Sequence, residues 1–306
     1  MIEKTAAKDD EGKRLDAVAR AAFPYLHLSE IFKSIRTGRL KLNGKKAKAN
    51  VRVCAGDVLQ YHGRYQETEP QKETICHTEL SHAHIPVIWE DEDLLALNKP
   101  RGWKVHDGPD SLQAWVRQRE GQNASLSFRA GPCHRLDRNT TGVIVFAKSA
   151  HGARRFAQRQ KEQGFCKIYL GILNGNLRQN AVWMSRLGYQ NGKAYKTDNG
   201  AHSVTMALPL AYWEGKTLAL FLLSSGRTHQ IRAQAAHAGY PLAGDGKYGG
   251  GKGIYHLHAL LLKDENKNRL FPPLWADLPA AMENLVDRFQ VSIQSIKKRV
   301  GKMADC

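Results

Sequence analysis

Asp137 stands between Arg135 and Arg138 in the stretch GPCHRLDRNTTGVIVFAKS, residues 131–149. Guanidinium groups this close favour the ionised form of a carboxylate, and on an extended backbone Arg135 and Asp137 project to the same side. The residues alone leave two readings open: a structural Arg–Asp pair at a strand end, or a reactive carboxylate beside a turn. A second group of chemically capable residues lies in SSGRTHQIR, which brings Arg227, His229 and Arg232 to the start of a predicted helix running to Gly239, with Thr228 as its cap. Basic side chains gain nothing from the dipole at that end of a helix. Their placement is explained if an anion sits there.

The elements that must position these groups follow from the pattern. Asn139-Thr140-Thr141-Gly142 reads as a turn and Val143 to Phe146 as a β-branched strand. Ahead of it, Pro86–Trp89 and Leu94–Pro100 read as strands around an acidic turn, with a helix over Ser111–Arg119. After it come a helix over Ser149–Gly164 anchored by Phe156 and a buried strand Lys167–Leu173 that carries Tyr169. Residues 174–202, rich in Asn and Gly, read as loops, then Ser203–Trp213 and Thr217–Ser224 as antiparallel neighbours. His256 and His258 alternate on a further strand with no third ligand at suitable spacing, so they read as core or facing a bound partner, not metal-binding. A basic amphipathic helix is predicted over Ala280–Lys302.

The N-terminal part has a different texture. Residues 1–12 are polar and predicted to fray. A helix from Lys13, with Leu15, Val18, Ala19 and Ala22 as its apolar face and its end before Pro24, precedes a second one capped by Ser29, with Ile31, Phe32 and Ile35 inward and Gly38 at its end. Leu40 to Lys46, with its Asn43-Gly44 pair, reads as a hairpin, and Val51–Tyr61 as a strand interrupted at Ala55-Gly56-Asp57. Between Ile31 and Arg52 there are eight basic residues, among them Lys33, Arg36, Arg39, Lys41, Lys45 and Lys46, and no acidic one. A second acid-free stretch, from Arg138 to Lys161, follows Asp137. Charge runs of one sign are as often solvated faces as binding surfaces.

With 306 residues, 42% hydrophobic, the chain can bury a large core and a small one. Its formal charge of +17 favours a polyanionic partner, and nucleic acid fits better than a membrane because no basic amphipathic helix carries an aromatic face. Five scattered cysteines without a C-x-x-C argue against a disulfide framework or a zinc site and for a reduced, cytoplasmic setting. No apolar signal region opens the chain and no apolar run approaches membrane length, so the expectation is an unexported, soluble protein.

The string HRLDRNTTG resembles the HRLD-x-x-(T/S)-(S/T)-G signature of the RluA-type pseudouridine synthases. NKPRGWKVHDG, K-x-Y at Lys167–Tyr169, GRTHQIR and HAGYPLAGDGKYGG resemble further segments of that family, in family order. Residues 13–62 are similar to the small S-four-type αL RNA-binding domain. The resemblance implies an α+β protein with a mostly antiparallel mixed sheet and flanking helices. It divides the chain into a frayed end (1–12), the RNA-binding domain (13–62), a linker with a short edge strand (63–84), the catalytic domain (85–279) and a basic helix and tail (280–306).

It also implies the reaction, isomerisation of uridine to pseudouridine in RNA, with no cofactor or metal. By this resemblance Asp137 is the essential carboxylate, adding covalently or removing a ribose proton. Arg232 pairs with it, and Tyr169 faces the flipped base with its hydroxyl available for proton transfer. Arg135 enters the vacated stack, and His134 touches phosphate or sugar. Arg138, Arg227 and His229 join the RNA contacts, as do the six basic residues named in the N-terminal domain. The partner is RNA, large-subunit ribosomal RNA favoured over transfer RNA, and the chain is expected to act as a monomer. Two departures mark a divergent member: Thr141 where Ser is common and Gln234 where His is usual. A non-catalytic RNA-binding assembly factor explains the charge equally well but does not require Asp137, Tyr169 and Arg232 together. A metal-dependent nuclease would want clustered carboxylates, which the motif lacks.

Overall fold

The computed structural model describes residues 1–64, 84–121 and 125–304. All but the ends of the expected linker, with its edge strand, lies outside the described residues. The N-terminal sheet has the order β1-β3-β2, formed by β1 (Ile2–Thr5), β2 (Leu40–Leu42) and β3 (Val58–Tyr61). Helices α1 (Leu15–Ala22) and α2 (Leu28–Thr37) cover it, and Leu15, Val18, Phe23, Ile31, Ile35 and Leu59 form one core. Gly38 ends α2 at φ 76°, a left-handed position that suits a residue without Cβ.

Several expectations are corrected here. Residues 1–12 are ordered: Ile2–Thr5 pair with β3, and Asp10 is fully buried. The Asp10 carboxylate accepts N–H bonds from Ala7, Leu126 and Ser127, each at 2.9 Å, and hydroxyl bonds from Ser125 and Ser127. Burial alone would raise its pKa, but these bonds outweigh it and lower it. The cap of α2 is His27, with Ser29 inside the helix, and Phe32 is 42% exposed. Leu42 and Lys45 form a single bridge around Asn43-Gly44, and β2 takes β3 as its ladder partner, so the tight hairpin is only a turn. The strand expected from Val51 begins at Val58.

The second sheet has eleven strands and is mixed, with β13 (Leu257–Asp264) parallel to β7 (Thr141–Ala147) and the other pairings antiparallel. Its path runs from β10 (Lys193–Lys196) through β9 (Ala181–Gln190), β11 (Ala201–Trp213), β12 (Lys216–Leu223), β8 (Phe165–Asn174), β13, β7 and β5 (Leu94–Lys99) to β4 (Val87–Glu90), with β6 (Gly131–Pro132) on β7 and β14 (Leu274–Trp275) on β13. Strands β4 (Val87–Glu90), β5 (Leu94–Lys99) and β8 (Phe165–Asn174) lie where the apolar pattern placed them. On one face pack α4 (Ala150–Lys161) through Phe156, and α6 (Ala280–Arg288) and α7 (Ile293–Ala304) through Met282, Val286, Ile296 and Val300. The other face receives α3 (Leu112–Glu120) through Leu112 and Val116, and α5 (Gln230–His237) through Ile231 and Ala235. The α+β class is as expected from the family resemblance.

Residues 174–202 are not loops throughout. β9 (Ala181–Gln190) and β10 (Lys193–Lys196) form a hairpin, and β11 begins at Ala201 and runs to Trp213 before β12 (Lys216–Leu223). Asn191 and Gly192 at φ 50° and 74° make its turn. The C-terminal helix is two helices, broken at Phe289–Ser292 where Gln290 adopts φ 56°. Among the described residues no helix is long and apolar enough to cross a membrane. Cys54, Cys133 and Cys166 are free thiols.

Gly142 joins the fold to the motif. It sits at φ 104°, opposite Ala259 in the parallel ladder, and a Cβ there would lie 2.2 Å from the Ala259 carbonyl oxygen. Gly142→Ala should therefore lose at least ~3 kcal/mol of stability, through backbone strain and displacement of β13. A urea titration measures this, and a wild-type midpoint would mean the β7–β13 contact is slack.

Candidate active site

Asp137 lies on the segment between β6 and β7, where the Thr140 N–H closes a turn on the Asp137 carbonyl at 3.0 Å. The turn presents the carboxylate to a cleft whose other wall is the start of α5. The first turn of that helix buries Arg232, whose Nη1 donates to Asp137 Oδ2 at 2.9 Å. The rest of the Arg232 fork grips Asp245, Nε at 2.7 Å and Nη2 at 2.9 Å, the bidentate geometry that makes arginine–carboxylate pairs strong. Its guanidinium lies over the rings of Tyr255 and Tyr248, 4.5 and 5.1 Å from their centroids. Burial works against the Arg232 charge, but the hydrogen bonds to Asp245 and Asp137 and the negative charge of the latter outweigh it and raise its pKa.

Tyr169 projects from the middle of β8, opposite Phe221 and Ala259, into the pocket that Asp137 and Arg232 also line. Burial raises its pKa, and the charge of Asp137 raises it further, so the phenol stays protonated. The structure thus brings together the three residues expected to carry the chemistry.

His229, not Thr228, caps α5, and it does so in a left-handed conformation at φ 56°. Ala194 N–H donates to the Tyr248 hydroxyl at 2.7 Å, and the better remaining acceptor for that hydroxyl is His229 Nδ1 at 2.9 Å. This network assigns the ring hydrogen to Nε2, 3.6 Å from Asp137 Oδ2. Burial pushes His229 down to about 4, keeping it neutral, although Asp137 pulls the other way. Oδ2 of Asp137 is thus engaged from the α5 side, and among the described residues no hydrogen bond uses Oδ1.

Lys99, at the end of β5, is fully buried and donates to the carbonyls of Pro100, Arg138 and Thr140 at 3.0, 2.9 and 2.9 Å. It ties down the turn that holds Asp137. Burial pushes its ammonium down to about 7, against the favourable charge of Asp137. In the unfolded chain a lysine keeps its ordinary value of 10.5, so between about pH 7 and 10.5 the unfolded state binds more protons. The contribution of this group to stability therefore rises with pH through that window. Thermal melts of wild type and Lys99→Met across it should diverge in favour of wild type, on top of an offset of about 3 kcal/mol for the lost donors. A pH-independent gap would exclude the linkage.

The RNA-binding expectations divide. Arg135 and Arg227 are exposed at the mouth of the pocket. Arg138 donates from Nε to the Gly102 carbonyl at 2.9 Å, bracing the turn. His134 is turned inward: Nε2 accepts the Val145 N–H at 3.0 Å and its ring stacks on Phe156, and burial pushes it down to about 3. This geometry pins β7 and is a structural use of the residue. In the N-terminal domain Lys33, Arg36, Lys45 and Lys46 are exposed and Lys41 is half-buried, while Arg39 pairs with Glu30 at 3.0 Å. Of the two strand histidines, His258 is core, bonded to Thr141 Oγ1 at 2.8 Å, and His256 meets Arg101 at 2.8 Å. The Gln234 amide joins α5 to β9 and β11 through Ser185, Ser203 and Thr205. Both departures from the family pattern are thus satisfied inside the core. Among the described residues no group of three or more His, Cys, Asp or Glu side chains could hold a metal ion.

Comparison with known proteins decides what this cleft belongs to. The RNA pseudouridylate synthase family model matches residues 93–237, and the S4 domain model matches residues 13–59. A ribosomal large subunit pseudouridine synthase D of Pseudomonas aeruginosa is 30% identical over 263 residues, covering 82% of this chain and 78% of that protein. The chain belongs to the RNA pseudouridylate synthase family. A synthase D of Yersinia pestis is 27% identical, with 98% of both chains covered. The structure of human RNA pseudouridylate synthase domain containing 4 shares the fold, with TM-score 0.57 and 21% identity over 72% of this chain and 97% of that one. This is an RNA pseudouridine synthase with an S4 domain at residues 13–59.

Sequence reasoning missed Asp245, Tyr248, Tyr255 and Lys99 as parts of the site. Three of the four lay inside quoted family segments, but only the fold shows that they converge on Arg232 and on the Asp137 turn.

Proposed function

We propose that the chain converts uridines of large-subunit ribosomal RNA to pseudouridine, with Asp137 as the reacting carboxylate. The observation that carries this is the Asp137–Arg232 pair at 2.9 Å facing Tyr169 across one pocket. The substrate class is supported by relatives described as ribosomal large subunit pseudouridine synthases that align over nearly the whole chain. The target nucleotide leaves its stack, at a cost of a few kcal/mol, and Arg135 at the pocket mouth takes its place. Asp137 acts through Oδ1, the oxygen turned away from Arg232 and His229. The C1′–N1 bond breaks, the base turns, a C1′–C5 bond forms, and the C5 proton is exchanged for one at N1, so atoms and electrons balance without a co-reactant. Tyr169 offers the base a neutral aromatic face and a phenol for that proton transfer. Basic residues of α2 and the following turn hold structured RNA by phosphates and shape. The chain is proposed to act as a monomer, and the free thiols support a reducing, cytoplasmic setting.

The test is tritium release from C5-labelled uridine in unmodified ribosomal and transfer RNA. Release from the large-subunit ribosomal RNA is expected. Release from transfer RNA alone would move the substrate class, and tight binding without release from either would point to an assembly factor.

A further inference from the structure

Beside the active pocket, and sharing Gly226 and Arg227 with it, lies a second pocket of about 400 Å³. Lys167 forms its inner wall and Lys161 and Arg227 its rim, with Gln160, Gln163 and Ser225 between them. No acidic side chain lines it. Glu162, the nearest acid in sequence, turns toward Arg159 at 4.0 Å. Lys167 is two residues before Tyr169 on β8, so the two project to the same side about 6.7 Å apart.

Lys167 is costly as it stands. Only burial and the charge of Arg227 act on its ammonium, both lowering its pKa, and no hydrogen bond or ion pair joins it to another described residue. Its Nζ keeps contact with the open pocket, since no buried side-chain nitrogen among the described residues is left without a partner. A Cβ at Gly226 would come within 3.5 Å of Nζ, so the bare backbone there leaves the approach free. A desolvated ammonium beside a guanidinium, with no carboxylate, is repaired by an anion. The RNA in the adjoining pocket carries one on each nucleotide.

We propose that the pocket around Lys167, Lys161 and Arg227 is a phosphate subsite that holds the RNA backbone one step from the flipped uridine. It rests on the uridine-isomerising reading of the neighbouring pocket. Lys167 is a positioning residue here: it fixes the strand so that the base at Tyr169 meets Asp137. The cost in the free protein is the counterpart of that grip. Lys167→Met should therefore melt no lower than wild type, and higher if the fold holds the methionine without strain.

The experiment uses the full chain and a substrate RNA bearing a single neutral methylphosphonate, placed in turn at each phosphate around the target uridine. Wild type should lose about tenfold in kcat/KM, carried by KM, at one position. Lys167→Met should show the same loss on unmodified RNA and no further loss at that position, with a salt slope of binding lowered by about 0.7. Lys167→Arg should retain most of the activity. Equal sensitivity of wild type and Lys167→Met to every methylphosphonate overturns the subsite, as does a loss confined to kcat. Absence of turnover by wild type on unmodified RNA would instead overturn the reading of the active pocket.

Discussion

Asp137→Asn is expected to abolish tritium release while RNA binding is unchanged. The amide oxygen can still accept from Arg232 Nη1, so the turn and the helix keep their contact, but the group can neither add to carbon nor take a proton. The loss should reach about four orders of magnitude or more, as for other enzymes stripped of the reacting group. The site also becomes more positive, which gives no reason for weaker binding to RNA. A filter-binding assay beside the tritium assay measures both. Residual turnover within tenfold of wild type would mean that the carboxylate only orders the pocket.

The second large effect belongs to Arg232→Met. In the wild type one guanidinium is shared by Asp137 and Asp245, the latter 2% exposed. Removing it leaves two carboxylates in a desolvated cleft with no cation between them. Breaking a buried pair from one side costs about 3–5 kcal/mol, and activity should fall with the loss of the 2.9 Å contact that orients Asp137. The double variant Arg232→Met/Asp245→Asn, which also removes the stranded charge of Asp245, should recover part of the stability but not the activity. Chemical denaturation of both variants tests this, and a single variant as stable as wild type would show that the Arg232 network is not holding α5 to the Asp137 turn.

Much of this site was legible before the fold was known, because its chemistry is concentrated in short strings. HRLD, K-x-Y and GRTHQIR carry Asp137, Tyr169 and Arg232, and a strand, a turn and a helix are enough to imagine them facing one another. The remainder depends on contacts far apart in the chain. Asp10 reads as part of a polar, fraying end because its partners Ser125 and Ser127 lie more than a hundred residues away. Lys99 reads as the end of a strand because the carbonyls it holds come from a later loop. The β9–β10 hairpin is hidden in the sequence for a local reason: Val182, Met184 and Arg186 are solvent-facing in a strand buried on one side only, so Asn and Gly dominate the composition of the segment. The pair Asn191-Gly192 was the signal available. His134 misleads in the other direction, since its place in the motif suggests RNA while the fold spends both its ring face and its nitrogen on the core.

The clasp made by Asp9 and Asp10 has a consequence for how RNA is measured. Asp9 accepts the Ala150 N–H at the start of α4 at 3.0 Å, and Asp10 takes its bonds from Ser125–Ser127, so the N-terminal sheet is bolted to the catalytic body. Two gripping surfaces on a stiff frame behave as a gauge. An RNA seated on the basic helix presents its uridine to the pocket at high effective concentration only when its own span matches the gap, and a span that is too short or too long gains nothing from the second contact. On the proposed reading, distance between the two surfaces would then help select one uridine among many, a property set by two aspartates that bond to the catalytic body.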